Sequence, residues 1–551
     1  MAEAGGGTPS IRRSSALLAS GTLVSRVLGF VSAFLLATTL GTVGDGADLF
    51  TLANQLPNNI YAIVAGGVLS AVLVPQIVRA GLHADGGAAY VNRLVTLGLV
   101  IFAVIGVIAT LAAPLLVRLY AQSGEGMGDG LSQAQFGLAV AFAYWCLPQV
   151  FFYALYSLLG EVLNGRSVFG PFTWAPVLNN VVAITGILLF AMLYGTAPEH
   201  QSVETWTTDR VVLISGSATL GVAAQAVVLF AFWKRAGLRF RLDFRWRGVG
   251  LRQTGKSAAW VFGMILITQL AGIVQSNVAS LAAGTGEASL AVLRFAWLIF
   301  MLPHGIATVS IVTAYFTRMS THARDGDFVS LRADVAASLR ATGLIMVFSS
   351  LGLIAIAYPF AAVFGGGFKE IEAMALVLIA YLLGLVPFSM LFVLQRTFYA
   401  LEDTRTPFLV QAAQAVVFVL GMLVVAQLPL DRIAIGVAVT VTIAGTLQTA
   451  LAWVLLRRKL GTGGQSGAIV REHVRYTVAM LPAAAAGALI VWLLGGFRAG
   501  GFAVSGVFEA GAVMVLAGTM MAIIYAALLL LMRNRELLEF VRPIVARLRR
   551  R

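Results

Sequence analysis

Fourteen runs of about 20 or more mainly apolar residues, parted by short polar or basic stretches, set the pattern of this chain. They lie near 15–40, 50–77, 92–117, 135–160, 171–195, 211–233, 258–283, 288–316, 337–360, 373–398, 408–428, 433–456, 474–495 and 506–532. At ~1.5 Å per residue, a helix of this length covers the ~30 Å hydrocarbon core of a bilayer. The pattern therefore predicts an all-α polytopic membrane protein of about fourteen transmembrane helices.

Composition agrees. With 59% apolar residues, 11% charged residues and a mean hydropathy of +0.89, the chain is excluded from the soluble globular class, whose charged share is ~25%. The net charge of +14 does not mark a nucleic-acid binder, because the charges sit in short loops between apolar spans rather than on one face of a soluble domain. They read as topology signals. With both termini cytoplasmic, 31 of the 38 Lys and Arg fall on that side; Arg118, Arg210, Lys369, Arg432 and Arg498 fall outside, and Arg26 and Arg294 fall within spans. Cys146 is alone in an apolar run and the five His are scattered, so neither a disulfide nor a metal cluster is expected. Ser10-Ile11-Arg12-Arg13 before an apolar run resembles a secretion signal, but the run is about 25 residues long and contains Arg26, so it is expected to be retained.

Arg26 lies ~15 Å into the first span, where a charge costs ~2.5–3.5 kcal/mol. It is expected to face a wet cavity or an anionic partner; the alternative, snorkelling to the headgroups, asks a long reach of one side chain. The second span is polar and reads as broken, with Asn54, Gln55, Pro57, Asn58 and Asn59 ahead of Gly66-Gly67. Exposed backbone at that depth is tolerated only beside protein or water, which places this helix on the cavity next to Arg26; a bend with packing glycines and no ligand contact is the other reading. Span 8 carries the second intramembrane cation, Arg294, followed by Pro303-His304. No carboxylate stands at mid-span against these arginines, since Glu161 and Glu509 lie towards span ends. A cationic cavity of this kind favours an anionic substrate.

Two further patterns bear on organisation. Leu69-Ser70-Ala71-Val72 with Arg79 recurs loosely as Val309-Ser310-Ile311-Val312 with Arg318, and Asn164-Gly165-Arg166 recurs as Asp403-Thr404-Arg405, at offsets of 239 or 240 residues. Six spans thus map onto the next six, the parallel repeat that builds two-lobed transporters, with spans 13 and 14 outside it. Gly250 to Ser257 satisfies the P-loop pattern letter for letter, yet a P-loop needs a buried strand before it, and here RFRLDFRWRG precedes and a membrane span follows. The segment from Arg239 to Lys256 is read instead as basic, partly amphipathic chain on anionic headgroups, and the tail from Arg533 likewise.

With Ser25-Arg26, Leu28-Gly29-Phe30, Pro57-Asn58 and the run from Arg396 to Pro407 in view, the chain resembles the MurJ/MviN lipid II flippases of the multidrug/oligosaccharidyl-lipid/polysaccharide exporter superfamily. The resemblance covers nearly the whole chain. It implies two six-helix lobes in pseudo-twofold repeat around a cationic cavity, two extra C-terminal helices forming a groove for a polyprenyl tail, and outward flipping of the peptidoglycan precursor. On this reading 1–13 is a cytoplasmic N-terminus, 14–234 the first lobe, 235–257 a basic linker, 258–457 the second lobe, 458–532 the tail groove and 533–551 a basic tail. Substrate contacts are carried to Ser25, Arg26, Asn54, Asn58 and Arg294, and the motif residues Arg396, Glu402, Asp403, Arg405 and Pro407 are carried as structural. The chain departs from the family where Ser32-Ala33 replace Arg-Asp, where Tyr61-Ala62 and Gly66 replace two arginines and a glutamate, and where Leu298 stands in place of the arginine five residues before the helix 8 proline. Arg294, one turn earlier on the same face, is its displaced equivalent. Such thinning fits an actinobacterial branch or a paralogue with another cargo.

The leading function is a lipid II flippase of the bacterial cytoplasmic membrane, with lipid II and membrane lipids as partners and cell-wall synthesis proteins as further ones. Alternatives are a flippase for another polyprenyl-linked glycan, a drug/cation antiporter of the same fold, and a non-transporting cell-wall scaffold. Cation extrusion calls for cavity carboxylates, and enzymatic chemistry for a nucleophile-base or metal constellation that no span supplies. No cofactor is expected; spans 7, 11 and 12 lack the mid-membrane carboxylates of a sodium site, which leaves the membrane potential as driving force. Reporter fusions at Gly126 and Pro198 should read outside, and those at Gly237 and Gly464 inside; outside readings at the latter two would refute the fourteen-span topology.

Overall fold

The computed structural model describes residues 9–65, 87–122, 130–166, 168–197, 199–245, 255–461 and 465–538. In order, its helices are α1 (Pro9–Leu40), α2 (Asp45–Ala65), α3 (Ala88–Leu111), α4 (Ala113–Tyr120), α5 (Gln133–Cys146), α6 (Gln149–Gly165), α7 (Phe169–Tyr194), α8 (Thr208–Val227) and α9 (Gly255–Ser280). There follow α10 (Leu290–Pro303), α11 (Val309–Arg324), α12 (Phe328–Ala355), α13 (Ala357–Val363), α14 (Phe368–Leu382), α15 (Leu385–Ala400), α16 (Arg405–Val425), α17 (Leu430–Leu460), α18 (Gln465–Leu493) and α19 (Val507–Leu531). Thirteen helical stretches among the described residues are long and apolar enough to cross a membrane, and they overlie thirteen of the fourteen expected spans. The remaining span, 50–77, starts as α2 and runs into residues outside the described set, as do Leu69 to Val72, Arg79, the fusion sites Gly126, Pro198 and Gly464, and most of the P-loop-like stretch.

Lipid exposure explains why these helices are apolar all round. On α3, Val91, Leu94, Val95 and Phe102 turn inward, while Ile101, Val104, Val107, Ile108 and Leu111 are exposed. A helix hydrophobic on both faces is the mark of a membrane span.

The chain divides into two compact units, Met1–Gly286 and Glu287–Arg551. In the first, α1 packs on α7 and α7 on α8, and α2 lies against α5 and α6. The helix α9 packs on α2 and α4, within the first compact unit, which runs to Gly286. Two polar contacts fix it there: Asn277 Nδ2 donates to Leu119 O at 2.7 Å, and Gln122 N to Ser280 Oγ at 3.1 Å. In the second unit α12 packs on α15 and α18, and α18 on α19, around Leu344, Val347, Met480, Ala483, Val513 and Met521.

The described part of the linker is held by side chains of α3. Residues 239–245 are extended rather than helical, and are fastened along the first turns of α3: Asn92 Nδ2 donates to Arg239 O (3.1 Å), Arg241 N to Asn92 Oδ1 (3.3 Å), and Asp243 N to Thr96 Oγ1 (2.9 Å). Arg93 closes an ion pair on Asp243 at 3.1 Å. Side chains that cap backbone groups leave no helical register here.

Breaks in the spans also fall where the sequence reading did not put them. Pro57 does not interrupt α2, which is continuous from Asp45 to Ala65. Interruptions occur instead between α5 and α6, at Leu147-Pro148, and between α14 and α15, at Leu383-Gly384. Each frees a carbonyl, and each is answered by a threonine from the unit's later helix: Thr219 Oγ1 of α8 donates to Trp145 O, and Thr442 Oγ1 of α17 to Ala380 O, both at 2.7 Å. Pro148 and Pro387, 239 residues apart, begin the second half of both spans, so the duplication is present in the way backbone is satisfied. A third interruption is the single π-turn His304–Thr308 between α10 and α11, where buried His304 sets Nδ1 2.9 Å from Ser389 Oγ.

The run from Arg396 to Pro407 is a helix corner. α15 ends with Asp403 N donating back to Phe398 O at 2.9 Å while Glu402 takes a left-handed φ of 57°. Asp403 then starts α16, accepting from Thr406 N at 2.9 Å and Thr406 Oγ1 at 2.7 Å, with Lys459 Nζ 2.6 Å away. Pro407 sits in the first turn of α16, where a missing N–H costs nothing. Arg396 lies over the rings of Phe316 (5.6 Å) and Phe392 (5.0 Å). Burial alone would push the Asp403 carboxyl up, but Lys459 and the Thr406 bonds outweigh it and hold the group below its ordinary value. Its stabilisation is therefore present above about pH 4 and lost as pH falls through the folded value. Asp403→Ala should cost about 1 kcal/mol, read by thermal unfolding in detergent, and the gap to wild type should close as pH falls below about 4.

Candidate substrate-binding site

Helix α1 is built to hold one cation in place. Gly21, Ser25 and Gly29 recur every fourth residue and form the face that meets α7. A Cβ at Gly21 would come within 2.9 Å of Thr173 Cγ2 and of the Trp174 ring, so only glycine allows that approach. One turn on, Asn180 of α7 donates its Nδ2 to Ser25 O at 2.8 Å, with Ser25 Oγ at 3.4 Å. Arg26 is the next residue, rotated off this packed face by one helical step. Its side chain is half-buried, and no carboxylate pairs with it among the described residues. Asn180 was not legible as a site residue, since its partner lies 155 positions away.

On α2 the amides divide by face. Asn54 is half-buried, Gln55 and Asn58 are exposed, and Asn59 is buried. Asn54 Oδ1 accepts from Gln149 Nε2 at 3.2 Å, and the same nitrogen lies 2.9 Å from Thr219 Oγ1. Gln149 is the first residue of α6 after the Pro148 break, and Thr219 is the residue that caps that break. The orientation of Asn54 is thus tied to the interruption of span 4. Asn58, one turn further along α2, is left with its amide open to solvent on the same side as Gln55.

In the second unit, Arg294 is an exposed residue of α10, between buried Leu290 to Leu293 and buried Phe295 and Ala296. Its helix is held by Phe295 against Phe364, and by Trp297 and Phe300 against Tyr381 and Phe388. Leu298 is half-buried on the same helix. Within each unit, then, a rigid apolar helix presents one arginine, and in the first unit neutral amides accompany it. Such a surface offers planar, multidentate donors to phosphate oxygens and amide groups to sugars or peptides. No group of three or more His, Cys, Asp or Glu among the described residues is placed to hold a metal.

The family model described as lipid II flippase MurJ matches residues 36–511. The chain is 25% identical over 401 residues to a probable lipid II flippase MurJ of Haemophilus influenzae, covering 70% of this chain and 75% of that one. It is 26% identical over 450 residues to the lipid II flippase MurJ of Burkholderia cenocepacia, covering 80% and 82%. Among solved structures it is similar to a lipid II flippase MurJ in an inward closed conformation, with a TM-score of 0.70 and 18% identity, over 96% of this chain and all of that one. A transporter of the MOP superfamily from Pyrococcus furiosus shares the fold more distantly, with a TM-score of 0.54 and 15% identity over 82% and 95% of the two chains. This multi-pass membrane protein belongs to the lipid II flippase MurJ family.

Proposed function

We propose that this chain moves lipid II, an undecaprenyl-pyrophosphate disaccharide-pentapeptide, from the inner to the outer leaflet of the cytoplasmic membrane by alternating access, with Arg26 and Arg294 engaging its pyrophosphate. The observation that carries this reading is Arg26: a half-buried arginine on a span of a flippase-family chain, held by Gly21, Ser25 and Asn180, with no acid beside it among the described residues. An anionic substrate is the partner such a cation lacks. Asn54 and Asn58 then supply amide contacts to the headgroup.

An inside-negative potential supports both half-cycles. Outward movement of two negative charges gains ~2.3 kcal/mol per charge per 100 mV, and the vacated cationic site is drawn back by the same field. The orientation with both termini cytoplasmic rests on the 31-to-5 distribution of basic residues.

The polyprenyl tail is assigned to α18 and α19. Two small residues of α18 differ in surroundings: a Cβ at Gly487 would meet Met521 Sδ at 2.5 Å, so this glycine serves the contact between the two helices, whereas Ala485 is exposed. Ala485→Trp should lower flipping at normal expression; Gly487→Trp should lower expression itself.

The main test is lipid II externalisation in vesicles at set potentials. Arg26→Lys should impair it nearly as much as Arg26→Ala, because lysine's point charge does not reproduce the planar fork that matches phosphate oxygens. Asn180→Leu should give a smaller loss by releasing α1. Full activity of well-expressed Arg26→Ala would overturn the phosphate reading, and activity indifferent to potential would overturn the driving force alone.

A further inference from the structure

At the basic end of the second unit, the start of α12, the end of α17 and the start of α18 enclose a pocket of about 50 Å³. That is several times the ~10–15 Å³ that admits one water. Arg332 and Arg457 stand at its wall with Ser466, and Trp453, Leu456 and Ile469 form an apolar floor.

The charge in this pocket is uncompensated. Four carboxylates at this end of the unit are already paired: Asp403 holds Lys459 (2.6 Å), Asp334 holds Arg318 (2.6 Å), Glu536 holds Arg340, and Glu472 holds Arg475 (2.7 Å). None of these acids lines the pocket, and among the described residues neither Arg332 nor Arg457 has an ion-pair partner. The one local feature that would repel an anion is the carboxyl end of α17, and Arg332 Nη1 already covers it by donating to Leu460 O at 2.6 Å. A guanidinium has five N–H donors, so the rest of that fork remains for a ligand. The first turn of α18 adds backbone N–H groups and the positive end of a helix dipole.

We infer that this pocket binds the phosphate of an anionic phospholipid headgroup from the leaflet that faces the basic side, with the glycerol and upper acyl chain on the apolar floor. A lipid fits better than a free anion because most of the lining is apolar and a tryptophan stands beside the arginines, the arrangement of the membrane-water interface. Only the name of the leaflet rests on the topology proposed above; binding at the pocket does not.

The test uses the full chain in neutral detergent, titrated with phosphatidylglycerol, phosphatidylcholine or inorganic phosphate, with bound lipid read by native mass spectrometry. Wild type should retain phosphatidylglycerol in preference to phosphatidylcholine. Arg457→Gln, at an exposed position with no partner to lose, should weaken phosphatidylglycerol binding about fivefold. Adding Arg332→Gln should weaken it further, while Arg471→Gln, exposed on α18 outside the pocket, should leave it unchanged. Unchanged binding in Arg457→Gln, or an equal loss in Arg471→Gln, would overturn the site. Complete displacement of the lipid by millimolar phosphate would overturn the lipid assignment.

Discussion

In hydrocarbon a backbone polar group has no water to turn to, and the rest of this structure depends on how that demand is met. Uninterrupted helices meet it by themselves. Where function calls for an interruption, a side chain from another helix takes over: Thr219 at the break before Pro148, and Thr442 at the break before Pro387. The first of these repairs also fixes Gln149, and through it Asn54, so a backbone requirement becomes the orientation of a candidate ligand-binding amide.

The same economy governs charge. A cation at mid-span is tolerable only with a compensating partner, and for Arg26 the described residues contain none. The contrast with the basic end of the second unit is instructive. There Arg318, Arg340, Lys459 and Arg475 are tied to acids, and their role is to fix helix ends. Arg26 in the span, and Arg332 and Arg457 in the pocket, stand outside such pairs among the described residues, and it is there that we propose anionic lipid groups bind.

The spans were legible in the sequence because length and apolarity are local properties. Arg26 was legible for the same reason: one charge in an apolar run needs no knowledge of the fold. The partners of these residues were not. Asn180 and Ser25 are 155 residues apart, Gln149 and Asn54 are 95 apart, and nothing in either local window links them. Proline misled in the second span, since α2 carries Pro57 without a break, while the matching pair Pro148 and Pro387 went unread as the sign of interrupted helices. The composition of the basic linker likewise could not show that Asn92, Arg93 and Thr96 fasten its first residues along α3. The motif from Arg396 to Pro407 was recognisable as a family signature, but its work as a capped corner became visible only with Lys459 of α17 beside Asp403.

Lipid II is the cargo we propose for this chain. Depleting the protein in its own cell and measuring which lipid-linked precursor accumulates on the inner leaflet tests it most directly. Lipid II should accumulate, and wild type but not Arg26→Ala should reverse it. Accumulation of a different polyprenyl-linked glycan, with lipid II reaching the outer leaflet at its normal rate, would contradict it.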